Sequence, residues 1–106
     1  MEPTTHLIYN VTNKLTEAIH IDWLNWMRQH HIPAVLATQC FFKATILRLK
    51  GVDDEEGPTY AIQYHAAREA DYERYLMHFS TALRRETLDK WGDQLLAFRT
   101  VMEVVN

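Results

Sequence analysis

The sequence predicts a single α+β domain with the element order β-α-β-β-α-β. Three observations carry that prediction. Two short segments alternate with the two-residue period of a strand, two more read as strands with apolar groups on both faces, and two longer ones repeat at helical spacing. No linker, internal repeat or low-complexity tract divides the 106 residues, a length suited to one hydrophobic core.

Leu7-Ile8-Tyr9-Asn10-Val11-Thr12 is rich in β-formers and sets Leu7, Tyr9 and Val11 on one face. The pattern lapses over residues 13–17, which read as a connection. The first helix is expected from about Ala18 to His31. At about 100° per residue, Trp23, Leu24, Met27, His31, Ala34 and Val35 share one apolar sector, and Trp26 falls outside it. Pro33 lacks an amide hydrogen and is expected to interrupt this helix and start a short extra turn through Ala37. Phe41 to Lys50 reads as the second strand and Thr59 to Ala66 as the third, joined by the turn-rich Gly51 to Pro58.

The second helix is expected from about Glu69 to Arg85, with Tyr72, Leu76, Phe79 and Leu83 at helical spacing. Its opening acids and closing bases, Arg84 among them, complement the helix dipole. Residues 86–92 form a further turn anchored by Trp91 and stopped by Gly92, and Leu95 to Val105 is the last strand.

This order is the split-βαβ or ferredoxin-like arrangement: a four-stranded antiparallel sheet with two helices on one face and strands one and three in its centre. A solitary subunit leaves the other sheet face in water, so one parity of each strand should be polar. Ile46-Leu47 with Leu49, and Leu95-Leu96-Ala97-Phe98 with Val101-Met102, instead place apolar groups on both faces of the edge strands. A second subunit packed sheet to sheet would cover them, and a homodimer is expected.

The formal charge is −3 and the eleven Lys and Arg residues are dispersed. Neither nucleic acid nor an anionic membrane is therefore an expected partner. One cysteine, Cys40, rules out an internal disulfide framework. No basic-then-apolar leader opens the sequence and no apolar run spans a bilayer, so a cytoplasmic protein is expected.

The residues Ile8-Tyr9-Asn10-Val11-Thr12, Trp23-Leu24-Asn25-Trp26-Met27, His31-Ile32-Pro33 and Leu36-Ala37-Thr38 resemble the bacterial family catalogued as domain of unknown function 4286. The resemblance continues through Ile46-Leu47-Arg48-Leu49, Tyr60 to Tyr64, Asp71 to Leu76 and Phe98-Arg99-Thr100. It implies a dimeric α/β barrel and transfers no activity. Related branches of that superfamily include haem-degrading and cofactor-free monooxygenases and isomerases, an analogy at the level of fold alone. One departure is Gln39, where the family pattern leads one to expect glycine; a positive φ there would strain it.

His31 is the sharpest chemical candidate. An imidazole on an apolar helix face beside aromatic residues suits a general base or a haem ligand. Its structural alternative is a core histidine, hydrogen-bonded to a backbone carbonyl. Trp23, Met27, Tyr9 and Tyr64 are candidates to line a pocket between helix and sheet, although strand parity alone does not say which face meets the helices. Arg48 and Arg99 interrupt apolar edge strands; they suit an anion clamp, or pairing across a dimer. The six histidines lack ligand spacing, since His30 and His31 diverge and His20 lies about 16 Å from His31 by helical rise. No metal and no cofactor are predicted, with haem at His31 left open.

Two functions from different classes remain. In one, a homodimer binds a small apolar or aromatic molecule in the helix-sheet cleft, with His31 serving oxygenase-like or isomerase-like chemistry if the protein is an enzyme. In the other, the core is filled and the protein is an interaction module for other proteins.

Overall fold

The computed structural model describes residues 2–106. Four strands, β1 (Leu7–Leu15), β2 (Lys43–Arg48), β3 (Thr59–Ala66) and β4 (Leu95–Glu103), form one antiparallel sheet in the order β2-β3-β1-β4. The two central strands pair Tyr9 with Tyr64 and Val11 with Ile62. The helices are α1 (His20–Trp26), α2 (Ile32–Ala37), α3 (Glu69–His78) and α4 (Ser80–Trp91).

The inward parity is now fixed. Leu7, Tyr9 and Leu15 on β1 and Tyr60, Ile62, Tyr64 and Ala66 on β3 are buried beneath the helices with Trp23, Met27 and Val35. The same parity on β4 carries Ala97 and Arg99. The strand β1 runs to Leu15, beyond the expected end at Thr12. The alternation is masked at Asn13, which takes an inward position and satisfies its Nδ2 by donating to the Val11 carbonyl at 3.0 Å. Leu15 behind it is 2% exposed, and that burial draws the strand onward.

The first helix differs from expectation at Pro33. Backbone helicity is not interrupted there: α1 passes into α2 through a π turn, Met27–His31, in which the Ile32 amide donates to the Met27 carbonyl five residues back. Such a turn changes the bonding register where proline's missing N–H would leave a gap. Trp26 ends α1 immediately before this turn. This ring, placed outside the apolar stripe by sequence, packs against the core and stacks on His31 at 4.9 Å and edge-on to Trp91 at 5.8 Å.

The second helix is longer than the expected 69–85 and bent. Phe79, at φ −128°, separates α3 from α4, and the buried Ser80 Oγ donates to the Leu76 carbonyl, a back-bond that bends helices. The stretch read as a separate turn is the end of α4. Trp91 is its buried anchor and Gly92, at φ +58°, its stop. Both outer strands are shorter than predicted. Phe41 precedes β2 and inserts its ring among Tyr9, Tyr64 and Tyr75 instead of pairing in the sheet. The last strand ends at Glu103.

Gln39, following α2, has φ +63°. Its amide bonds the Leu36 carbonyl as a left-handed helix stop, a position glycine fills without steric cost. Gln39→Gly relieves about 1 kcal/mol or more of backbone strain and returns part of it as unfolded-state entropy. A net gain of about 0.5 kcal/mol in urea unfolding is expected; an unchanged or lowered midpoint would contradict it.

The opposite sheet face is uncovered. Leu47, Leu96, Phe98 and Met102 lie on it and are exposed, Phe98 to 60%. Asn10 and Thr12, bonded to each other at 3.0 Å, occupy its centre. Among the described residues no helix is long and apolar enough to cross a membrane.

Candidate functional site

A cavity of about 40 Å³ lies between the sheet, the π turn and α4. Its lining includes Tyr9, Trp23, Met27, His31, Tyr64 and Arg99. The structure thus gathers six of the seven residues singled out by sequence into one cleft. It adds four that sequence reasoning passed over: Asn13, Tyr75, Arg84 and Thr87. Arg84 had a signal, since it adjoins Leu83 in the helical stripe, but its charge suited the helix end expected at residue 85.

The floor is aromatic. The Tyr9 ring lies 5.5–6.0 Å from those of Phe41, Tyr64, Tyr72 and Tyr75. The Tyr9 hydroxyl accepts hydrogen bonds from Arg84 Nη2 at 3.0 Å and Arg99 Nε at 3.2 Å. Arg99 therefore projects toward the helices from β4 and grips the cleft instead of reaching out along the sheet. Arg48 is elsewhere, pairing with Asp54 at 3.5 Å and lying 5.8 Å over the Tyr60 ring.

His31 is half-buried, and its Nδ1 is buried without a hydrogen-bond partner. The carbonyl bond expected of a satisfied core histidine is not made. Burial drives its pKa down from 6.5 to about 4; Glu86 opposes this, while His30 and Arg99 add to it. The imidazole is consequently neutral at neutral pH. Burial likewise pushes the Tyr64 and Tyr75 hydroxyls well above the usual phenol range, so both remain protonated donors. Trp23 Nε1 and Arg84 Nε are also buried without partners.

The remaining candidates are dispersed. His20 bonds the Tyr60 hydroxyl at 2.7 Å, His30 meets Glu86 at 2.8 Å and His65 meets Thr5 at 3.1 Å. Among the described residues no three His, Cys, Asp or Glu side chains converge. Cys40 is buried behind Thr38. The enclosed cavity of about 40 Å³ has no room for a haem macrocycle.

The topology and helix-sheet layering define a ferredoxin-like α+β domain. A dimeric ferredoxin-like protein from an uncultured marine organism superposes with a TM-score of 0.70 at 10% identity, covering 97% of this chain and 98% of its own. The chain belongs to the family described as domain of unknown function (DUF4286), whose model matches residues 6–105. No curated protein matches it.

Proposed function

We propose that the protein is a homodimeric binding domain for a small organic molecule that enters at the cleft between the π turn, α4 and β4. The carrying observation is the set of unpartnered polar atoms, Trp23 Nε1, His31 Nδ1 and Arg84 Nε, in residues that line one cavity. Buried polar groups are normally hydrogen-bonded, and an occupant would complete these. The homodimer rests on Leu47, Leu96, Phe98 and Met102 across the uncovered sheet face, and on the structural neighbour being a dimeric ferredoxin-like protein.

Binding is favoured over proton transfer. A general base works best with a pKa near the operating pH, and His31 lies well below it. The second reading, an interaction module with a filled core, draws on the cavity's small enclosed volume and the aromatic packing around Tyr9.

Native mass spectrometry of protein purified gently from its own host tests both parts. A dimer carrying a reproducible extra small mass is expected. A bare dimer would favour the interaction module, and a monomer would overturn the assembly.

A further inference from the structure

The polar groups around Tyr9 have one sign. Arg84 and Arg99 converge on a single phenolic oxygen, and neither takes part in an ion pair among the described residues. Two acids of the helices are engaged with other cations: Glu86 with His30, and Asp71 with Arg68 and Arg74. A guanidinium has five N–H donors and no acceptor. Arg84 spends one on Tyr9 and leaves Nε buried and unmatched. The Tyr9 oxygen accepts from both arginines, and its own proton meets no acceptor among the described residues. Trp23 Nε1 is a further unmatched donor on the same cavity. Two cations gathered beside unmatched donors leave an acceptor-rich negative group missing.

The shape narrows the class. The enclosed part, about 40 Å³, has room for a group of about two or three heavy atoms. A wider groove of about 300 Å³ adjoins it and shares four of its lining residues, Arg84, Thr87, Ala97 and Arg99. The groove's remaining wall, with Leu88 and Leu95, is largely apolar. A planar head fits inward and an apolar body fits outward. Arginine forks match the two oxygens of a carboxylate.

We propose that the site takes a small monocarboxylate, its head held by Arg84, Arg99 and the Tyr9 hydroxyl and its aromatic or aliphatic body lying between α4 and β4. This deepens the proposed binding function and rests on it.

The test titrates the dimer with benzoate, with the uncharged benzamide of similar shape and with inorganic phosphate, read by calorimetry and by chemical shifts at Tyr9, Arg84 and Arg99. Benzoate is expected to bind saturably and at least about tenfold more tightly than either alternative. Arg99→Gln and Arg84→Gln should each weaken benzoate by about tenfold or more, and Arg48→Gln should leave it unchanged. Because Arg84 is partly buried, Arg99→Lys serves as the second variant: it keeps the charge at an exposed position and removes the fork, and weakened binding is expected.

Equal affinity for benzoate and benzamide would overturn the anion assignment while leaving a binding cleft. Phosphate binding as tightly as benzoate would overturn the carboxylate. Binding of none of the probes, with a dimer that dissociates in the arginine variants, would assign the two cations to a carboxylate of the partner subunit and sink both readings.

Discussion

Gly57→Ala is expected to destabilise the fold by about 3 kcal/mol or more, one of the largest effects of any single methyl group in this chain. Gly57 has φ +153° and lies against the end of β1. A Cβ there would collide with the Leu15 carbonyl oxygen and come within 2.7 Å of the Glu17 amide nitrogen. These are backbone atoms and cannot turn aside. The same crossing is fixed by two hydrogen bonds, Leu15 N–H to the Pro58 carbonyl at 3.1 Å and Glu17 N–H to the Glu56 carbonyl at 2.8 Å. Relief of the clash would break these bonds and lift Leu15 out of the core. Thermal unfolding at fixed protein concentration should show a midpoint lowered by about 12 °C or more. A fall of under about 3 °C would show that the segment shifts freely.

Stability should fall between pH 6.5 and about pH 4 by about 3 kcal/mol from His31 alone. The folded pKa of about 4 lies below the ordinary 6.5, so in this window the unfolded chain takes up a proton that the folded one refuses. Stability therefore rises with pH through the window, and falls on acidification until the folded state also protonates. The limiting slope is about 1.4 kcal/mol per pH unit for one proton. His65, also lowered chiefly by burial, contributes in the same direction. The Asp71 carboxyl, held below 3.8 first by its hydrogen bond from Arg68, contributes stability that is lost only at lower pH. His31→Gln isolates the effect: its unfolding free energy, measured by urea at intervals from pH 4 to 7, should show a slope smaller by about one proton. Superposable profiles would mean that His31 titrates normally in the fold.

Much of the architecture was legible because it depends on period. The alternation of Tyr60, Ile62 and Tyr64 and the spacing of Trp23, Met27 and Val35 are read directly as faces, and the strand order follows from the connections. The misplaced boundaries lie where one residue answers to two rules. Asn13 is polar yet inward because it bonds its own strand, so it concealed the end of β1. Phe41 looks like a strand residue because it is apolar, yet its ring serves the core from outside the sheet. The six candidate site residues were legible as apolar positions interrupted by His31 and Arg99. Arg84 was not: one positive charge near an expected helix end has a sufficient local explanation, and only the bend at Phe79 and the extension to Trp91 make it a cleft residue.

The π turn also sets the phase of the first helical stretch. In an uninterrupted α-helix, residues four apart drift about 40° around the axis at each step. Over Trp23, Met27, His31 and Val35 that drift would carry the last side chain about a third of a revolution from the first. A turn closed by a five-residue step holds more residues per revolution, so the row slips backwards where it would otherwise advance. The inserted residue acts as a vernier: Trp23 and Val35, both 0% exposed, point into the same core from opposite ends of the stretch, with Met27 buried between them. Kept at full length but wound as a regular α-helix, the stretch would turn one end of the row away from the sheet. Losing one residue would bring the ends back to within about 20° of phase; the irregular turn is what absorbs the extra residue and keeps the alignment.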